Sequence, residues 1–284
     1  MFPSAFDYHR AASVDDAIAV LASNPEAKIL AGGYSLLPAM KLRLANPGML
    51  VDLTRLDELK GVQIGSDTVT IGAMTTYDEL RDTPGIAELF PSVVQSIGVI
   101  GDQQVRANGT IGGTLAHNDP AADFTAVFSS LNGSVVVRGP NGQRTIPADE
   151  LFVDLWTTAI EVDEVITSVV LPKPAPGTVS GYRKHQHPAS GYAIVGLAAA
   201  VTVTDGTVSA ANVVVTGGTS VATHAAAAEE ALIGKPLDAA SIAAVSSLAA
   251  QGLDLNPSPY ASEAYLGQLV KVLTGRVLTA AANL

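Results

Sequence analysis

The sequence predicts an α+β protein in three parts: two α/β sections, residues 1–60 and 61–175, and a C-terminal domain of antiparallel sheet plus helices, residues 176–284. Three observations carry the prediction. Up to residue 172, short apolar strand-like runs alternate with helix start and stop signals. The run Pro172-Lys173-Pro174-Ala175-Pro176-Gly177 is dense enough in proline and glycine to be a linker. Past it, two long strand-like runs meet at Asp205-Gly206, a tight hairpin dipeptide, and helices then dominate.

In the first section, Ser13-Val14-Asp15-Asp16 reads as an N-cap with an acidic first turn, opening a helix from Val14 to Ala22. Asn24-Pro25 ends it, because a residue before proline is pushed out of the helical region. Residues 28–31 read as a strand, 36–44 as a helix and 49–53 as a second strand. The second section opens on a hairpin, 61–65 and 68–73, turning at Ser66-Asp67. Thr76-x-x-Glu79 is a capping box, in which each side chain takes up the other's free N–H. Helical stretches follow at 86–90 and 92–97. Asp119-Pro120 reads as the N-cap and first position of a helix that runs to Leu131 and stops at Asn132-Gly133. Residues 134–138 and 144–146 form a hairpin about Pro140-Asn141-Gly142, and 165–171 is the closing strand. In the C-terminal domain, strands at 181–185, 192–204 and 207–216 precede helices at 221–233, 239–250 and 259–282.

Composition narrows the function. Hydrophobic residues make up 48% and charged residues 15%, enough apolar content to bury cores and too little charge for a disordered chain. A net charge of −11 repels a phosphate backbone, so no nucleic-acid partner is expected. With no cysteine, the chain has no disulfide, no thiolate-held iron–sulfur cluster and no thiol nucleophile. Residues 1–7 lack the basic and apolar regions of a signal peptide, and no run reaches the ~18 apolar residues of a membrane span. A cytoplasmic location is the expectation. His185 and His187 alternate on a strand and His117-x-Asp119 lies in a loop. No HExxH or third ligand at fixed spacing accompanies them, so no metal is expected. No G-x-S-x-G elbow points to a hydrolase. No G-x-G-x-x-G follows the first strand, which argues against a dinucleotide-binding Rossmann unit.

The chemistry concentrates in two glycine pairs. Ala31-Gly32-Gly33-Tyr34-Ser35-Leu36 follows the first strand, and Thr110-Ile111-Gly112-Gly113-Thr114 precedes Asp119-Pro120. Adjacent glycines leave the backbone unshielded and free to take positive φ, so its N–H groups can turn toward an anion. Ser35, Thr110 and Thr114 add hydroxyls. Two such loops suit a ligand with two phosphates, although each alone is also an ordinary tight turn.

These two loops, with Asp119-Pro120-Ala121-Ala122-Asp123, resemble the FAD-pyrophosphate loops of the medium subunit of molybdenum hydroxylases. The resemblance is greatest to the carbon monoxide dehydrogenase medium subunit type and extends to the xanthine dehydrogenase FAD subunit. It covers nearly the whole chain. It implies a vanillyl-alcohol-oxidase/PCMH-type FAD domain built from the two α/β sections, followed by the C-terminal domain. It implies FAD on this chain, a large subunit holding a molybdenum–pterin centre, and a small subunit holding two [2Fe–2S] clusters. The assembly is expected to be a dimer of heterotrimers. Electrons would pass from the clusters to FAD and on to a quinone or another acceptor, with peripheral contact to a membrane quinone allowed. No residue here would act on the organic substrate. Carbon monoxide dehydrogenases usually carry His where this chain has Tyr34, so carbon monoxide, aldehydes and N-heterocycles all remain candidate substrates.

Residue by residue, the resemblance assigns Ala31, Gly32, Gly33, Tyr34, Ser35 and Leu36 to the first cofactor loop and Thr110, Ile111, Gly112, Gly113 and Thr114 to the second. It places Asp123 near the adenosine end, the Ile100 backbone against the cofactor, and Lys184 and Tyr192 at the flavin edge. Lys184 would put positive charge where reduction builds negative charge. The family's basic and acidic residues between these two correspond here to His187 and Gly191. Two other classes stay open: a self-contained FAD oxidase or reductase, which would turn over alone, and a flavin-free structural subunit, which would purify colourless.

Overall fold

The computed structural model describes residues 2–282; the reading of residues 1–7 includes Met1, which lies outside them. The chain begins β1 (Asp7–Arg10), α1 (Val14–Ser23), β2 (Ala27–Leu30), α2 (Leu36–Lys41) and β3 (Met49–Asp52). β1 and β2 both run parallel to the central β3. The Ser13 hydroxyl caps α1 by accepting the Asp16 N–H. Val14, Ala17, Ile18 and Leu21 then recur at helical spacing and share one core with Val51, Leu53 and Leu59.

The middle of the chain runs β4 (Val62–Ile64), β5 (Thr68–Gly72), α3 (Tyr77–Asp82), α4 (Ile86–Leu89), α5 (Pro91–Ile97), α6 (Gln103–Asn108), α7 (Ile111–His117), α8 (Asp123–Ser130), β6 (Ser134–Gly139), β7 (Gly142–Pro147), α9 (Ala148–Leu151), β8 (Phe152–Asp154), β9 (Thr157–Thr158) and β10 (Val165–Pro172). Its main sheet is antiparallel throughout, in the order β4-β5-β10-β6-β7, while β8 and β9 form a separate two-stranded ribbon. The Thr76–Glu79 capping box forms as expected.

The last part is β11 (Thr178–Gln186), β12 (Ala193–Thr204), β13 (Thr207–Thr216), β14 (Thr223–His224), α10 (Ala226–Leu232), α11 (Ala239–Ser246) and α12 (Glu263–Ala282), with the sheet ordered β11-β12-β13-β14. This sheet is covered on both faces. Val195, Leu197, Ala199 and Val201 of β12 join the core under the C-terminal helices, whereas Tyr182, Ala198 and Val214 join the core of the middle section. Burial on both faces explains the continuous apolar run of β12. Among the described residues, no helix is long and apolar enough to cross a membrane.

The observed elements depart from expectation in several places. β1 and α6 carried no clear signal. Residues 111–117, read as loop, form α7. The Asp119-Pro120 helix start does not form: the Asp119 carboxylate accepts the Ala121 N–H in a turn, and the Pro120 carbonyl accepts from Thr216 Oγ1 and the Gly217 N–H, both at 2.7 Å. That capture delays α8 to Asp123, with Ala122 at its N-cap. Likewise Thr223–His224 pairs with β13, so α10 starts only at Ala226. α2 stops at Lys41, α11 stops at Ser246, and α12 starts at Glu263.

Candidate functional site

The first glycine loop is an open run of backbone. Gly33 sits at φ +77, the left-handed conformation that glycine adopts without cost. Among the described residues, no acceptor bonds the N–H groups of Gly32, Gly33, Tyr34, Ser35 or Leu36, and the Ser35 hydroxyl makes no capping bond to α2. Five consecutive N–H groups at the start of a helix thus stay open to an outside acceptor. The loop lies against α6 and α7: a Cβ on Gly32 would stand 2.2 Å from the Asn108 carbonyl oxygen, and one on Gly113 3.5 Å from the Ala31 side chain.

The second glycine pair is built differently. Thr110 caps α7, its hydroxyl accepting the Gly113 N–H at 3.2 Å and its carbonyl the Thr114 N–H at 3.1 Å. The Ile111 and Gly112 N–H groups donate to the carbonyls of Thr75 and Ala73 at 3.0 and 2.8 Å. All four donors are therefore satisfied inside the protein. Gly112 is buried so tightly that a Cβ would meet the Ala73 side chain at 2.6 Å. The two glycine pairs thus differ: the first leaves its N–H groups without partners among the described residues, and in the second small residues serve close packing. Under α7, burial pushes the Tyr77 phenol well above its ordinary pKa, with the Thr114 hydroxyl as an opposing polar neighbour.

Beyond α7 lies a buried polar knot. Asp123 accepts from the Tyr182 hydroxyl and, at 2.9 Å, from Lys184 Nζ, which also donates to the Gly191 carbonyl at 2.7 Å. The Asp123 and Lys184 side chains are 6% and 2% exposed. Burial pushes the Asp123 carboxyl above the usual range, while the Lys184 ammonium and the Tyr182 hydroxyl pull it back. Gly196 leaves room for the Tyr182 phenol, since a Cβ there would lie 2.3 Å from its oxygen. Both Asp123 oxygens thus fasten the middle section to the C-terminal sheet. Tyr192 is half-exposed, and its phenol is pushed up by partial burial and by the negative charges of Asp119 and Asp123. Ile100 is buried, its carbonyl accepting from Arg106 at 2.9 Å. Tyr34 and Ser35 are exposed, while Ala31 and Leu36 are half-buried. His185 and His187 pack edge-on against the rings of Tyr265 and Tyr260.

The structure thus sets the first glycine loop against the second, with Gly32 beside Asn108 and Gly113 near Ala31, and joins Asp123 to Lys184, with Tyr192 nearby. Sequence reasoning gave no role to three buried residues: Tyr77 beside Thr114, Asn118 at the end of α7, and Tyr182, which bonds Asp123 of α8. Their only signal was proximity to motif residues.

The order of these parts matches known proteins. Residues 4–174 match the family described as FAD binding domain in molybdopterin dehydrogenase, and residues 180–281 match the CO dehydrogenase flavoprotein C-terminal domain. The chain belongs to the FAD-binding subunits of molybdopterin dehydrogenases. It is 36% identical over 277 residues to the carbon monoxide dehydrogenase medium chain of Hydrogenophaga pseudoflava, covering 95% of this chain and 96% of that one. It is 35% identical over 283 residues to the 6-hydroxypseudooxynicotine dehydrogenase complex subunit alpha of Paenarthrobacter nicotinovorans, covering 99% and 96%. Quinoline 2-oxidoreductase from Pseudomonas putida 86 shares the fold with a TM-score of 0.94 at 31% identity, covering 100% of this chain and 99% of that one. This FAD-binding subunit is therefore part of an oxidoreductase.

Proposed function

We propose that this subunit holds FAD at its two glycine segments, receives electrons from the [2Fe–2S] clusters of a small subunit, and passes them to a quinone or other acceptor. A large molybdenum-binding subunit would complete a heterotrimer, paired as a dimer of heterotrimers in the cytoplasm. The cofactor sections would be residues 1–60 and 61–175, with residues 176–284 as the third domain. The single observation that carries the reading is the row of five N–H groups from Gly32 to Leu36 without partners among the described residues, in a loop set against the end of α6 and the start of α7.

The residues present fit the cofactor. Donors at 32–36 would take the pyrophosphate, helped by the Ser35 hydroxyl. Gly113 and Thr114 would line the opposite wall without lending N–H groups. Bound FAD would supply the redox step between one-electron clusters and a two-electron acceptor. Asp123 and Lys184 would act by orienting β11 and the Gly191–Tyr192 turn, so that Tyr192 stands beside the cleft. Lys184 keeps one N–H free of the two bonds described and would direct it, with its charge, toward the flavin edge.

Gly113→Val tests the assignment. Its side chain would press into Thr110 Oγ1, 2.7 Å from the Cβ position, and toward Ala31. The folded variant is expected to purify without flavin, and full retention of FAD would contradict the placement.

A further inference from the structure

A cation stands at the same edge of the first sheet as the open glycine loop. β1, β3 and β2 run parallel, and one row of their ladder joins Arg10, Asp52 and Leu30 at the carboxyl ends of the three strands. Residues in one row share a face, and this is the face away from α1, on whose side Val51 and Ile29 pack. Leu30 leads directly into Ala31-Gly32-Gly33, and its Cδ1 lies 3.3 Å from the Cβ position of Gly33. Neighbouring strands are about 4.8 Å apart, so the Arg10 and Leu30 backbones are about 10 Å apart. An arginine side chain and a phosphate together span that gap. In open sheets of parallel strands, ligands bind outside the carboxyl ends.

Arg10 is also oriented. Asp52 is 6% exposed, and its carboxylate accepts from the Thr54 N–H at 2.8 Å and from the Tyr8 hydroxyl. The Tyr8 oxygen in turn accepts from Arg10 Nε at 3.4 Å. Among the described residues, the guanidinium makes no other hydrogen bond and no ion pair, and Arg10 is exposed. Both Nη groups are therefore open to an outside acceptor, while Nε ties the fork through Tyr8 to a buried carboxylate.

We propose that Arg10 is a phosphate ligand of the bound dinucleotide, with its Nη groups donating to pyrophosphate oxygens alongside the N–H row of 32–36. Tyr8, fixed by Asp52, is its positioning residue. The inference rests on the FAD reading proposed above. The N–H row is uncharged and leaves the charge of a pyrophosphate unneutralised. A planar guanidinium supplies that charge and matches two phosphate oxygens at once.

The test is calorimetric titration of the flavin-free subunit with FAD at rising sodium chloride, with urea unfolding of each variant to confirm its fold. Arg10 is exposed at a sheet edge, so Arg10→Gln leaves no cavity. It should bind FAD about tenfold more weakly, as loss of a hydrogen-bonded charge implies, and its affinity should depend less on salt than that of the wild type. Arg10→Lys keeps the charge without the fork and should recover part of the affinity. Tyr8→Phe should weaken binding in the wild type and change nothing further in Arg10→Gln, because it acts through Arg10. Equal FAD affinity in wild type and Arg10→Gln, or wild-type affinity indifferent to salt, overturns the phosphate contact and leaves the glycine loops as the site. Weaker binding with an unchanged salt dependence and no recovery in Arg10→Lys also overturns it, since the loss would then come from packing. A wild-type subunit that binds no FAD overturns the FAD reading itself.

Discussion

The two glycine pairs have the same dipeptide and opposite designs. At Gly32-Gly33 the backbone is open: one glycine is left-handed and five successive N–H groups have no partner among the described residues. At Gly112-Gly113 the backbone is closed: the four N–H groups from Ile111 to Thr114 are bonded internally. There the missing Cβ lets a short helix press onto Ala73. The open loop offers donors and the closed one offers a rigid wall. A Gly-Gly pair beside Ser or Thr does not distinguish these uses, because what separates them is the partner of each N–H. The turn and helix that follow the closed segment are bolted from outside, through Thr216 and Gly217 onto Pro120 and through Tyr182 and Lys184 onto Asp123.

The largest effect should come from unlocking the closed side. Asp123→Ala would leave the Lys184 ammonium buried beside only the Gly191 carbonyl, and stranding one member of a buried ion pair costs about 3–5 kcal/mol. Denaturant unfolding of the isolated subunit should show that loss; a change under about 1 kcal/mol would mean the knot is not holding the sections together. Gly112→Ala comes next. The added methyl meets Ala73 at 2.6 Å in a packed interior, an overpacking cost of about 2–3 kcal/mol, so the midpoint of unfolding should fall in apo and FAD-loaded protein alike.

Gly33→Ala should behave in the contrary way. A left-handed alanine costs about 1–2 kcal/mol, and the variant should stay folded while losing much of its FAD, because the strained residue relaxes by turning its N–H away. Near-equal loss of stability and retention of FAD in Gly33→Ala and Gly112→Ala would erase the distinction between the two segments.

The smallest effect concerns pH. His224 bonds Glu229 at 2.7 Å and faces Asp149 of α9 at 3.6 Å, joining the edge of the C-terminal sheet to the middle section. The bond to Glu229 raises its pKa above the ordinary value, and the charges of Glu229 and Asp149 add to the rise. The folded state therefore favours the protonated ring. That stabilisation is complete below the ordinary histidine pKa of about 6.5 and is lost as pH rises through the higher folded value. His224→Gln should lower the melting temperature near pH 6 and make little difference near pH 9. A difference independent of pH would assign the residue to packing alone.

Much of the fold was legible because its signals are local. Ser13 and Thr76 cap the helices their sequence patterns announced, and Asp205-Gly206 turns the hairpin with both residues left-handed, as that dipeptide implies. The misreadings came from distant partners. Two adjacent glycines oppose helix formation, yet Thr75 and Ala73 accept the N–H groups that open α7. Asp119-Pro120 is a good helix start until Thr216 and Gly217 claim its carbonyl. β1 is four residues, Asp-Tyr-His-Arg, with no apolar alternation, and exists because β3 offers it a parallel edge. At the site, the glycine pairs and Asp123 were visible as a motif, but their roles were not. Nothing local shows that Asp123 points at Tyr182 and Lys184, about sixty residues on, or that Asn118 holds the ribbon bearing Trp156.

The difference between the two segments is most directly measured by amide hydrogen exchange on the subunit with and without FAD. Free N–H groups exchange fast and are protected only when a ligand binds them, whereas internally bonded ones are slow from the start. Amides 32–36 should exchange rapidly in the apo protein and become strongly protected on loading, while amides 111–114 should be protected in both. Protection that appears on loading at 111–114 and not at 32–36 would contradict the account, since the closed segment would then be the one that takes the phosphates.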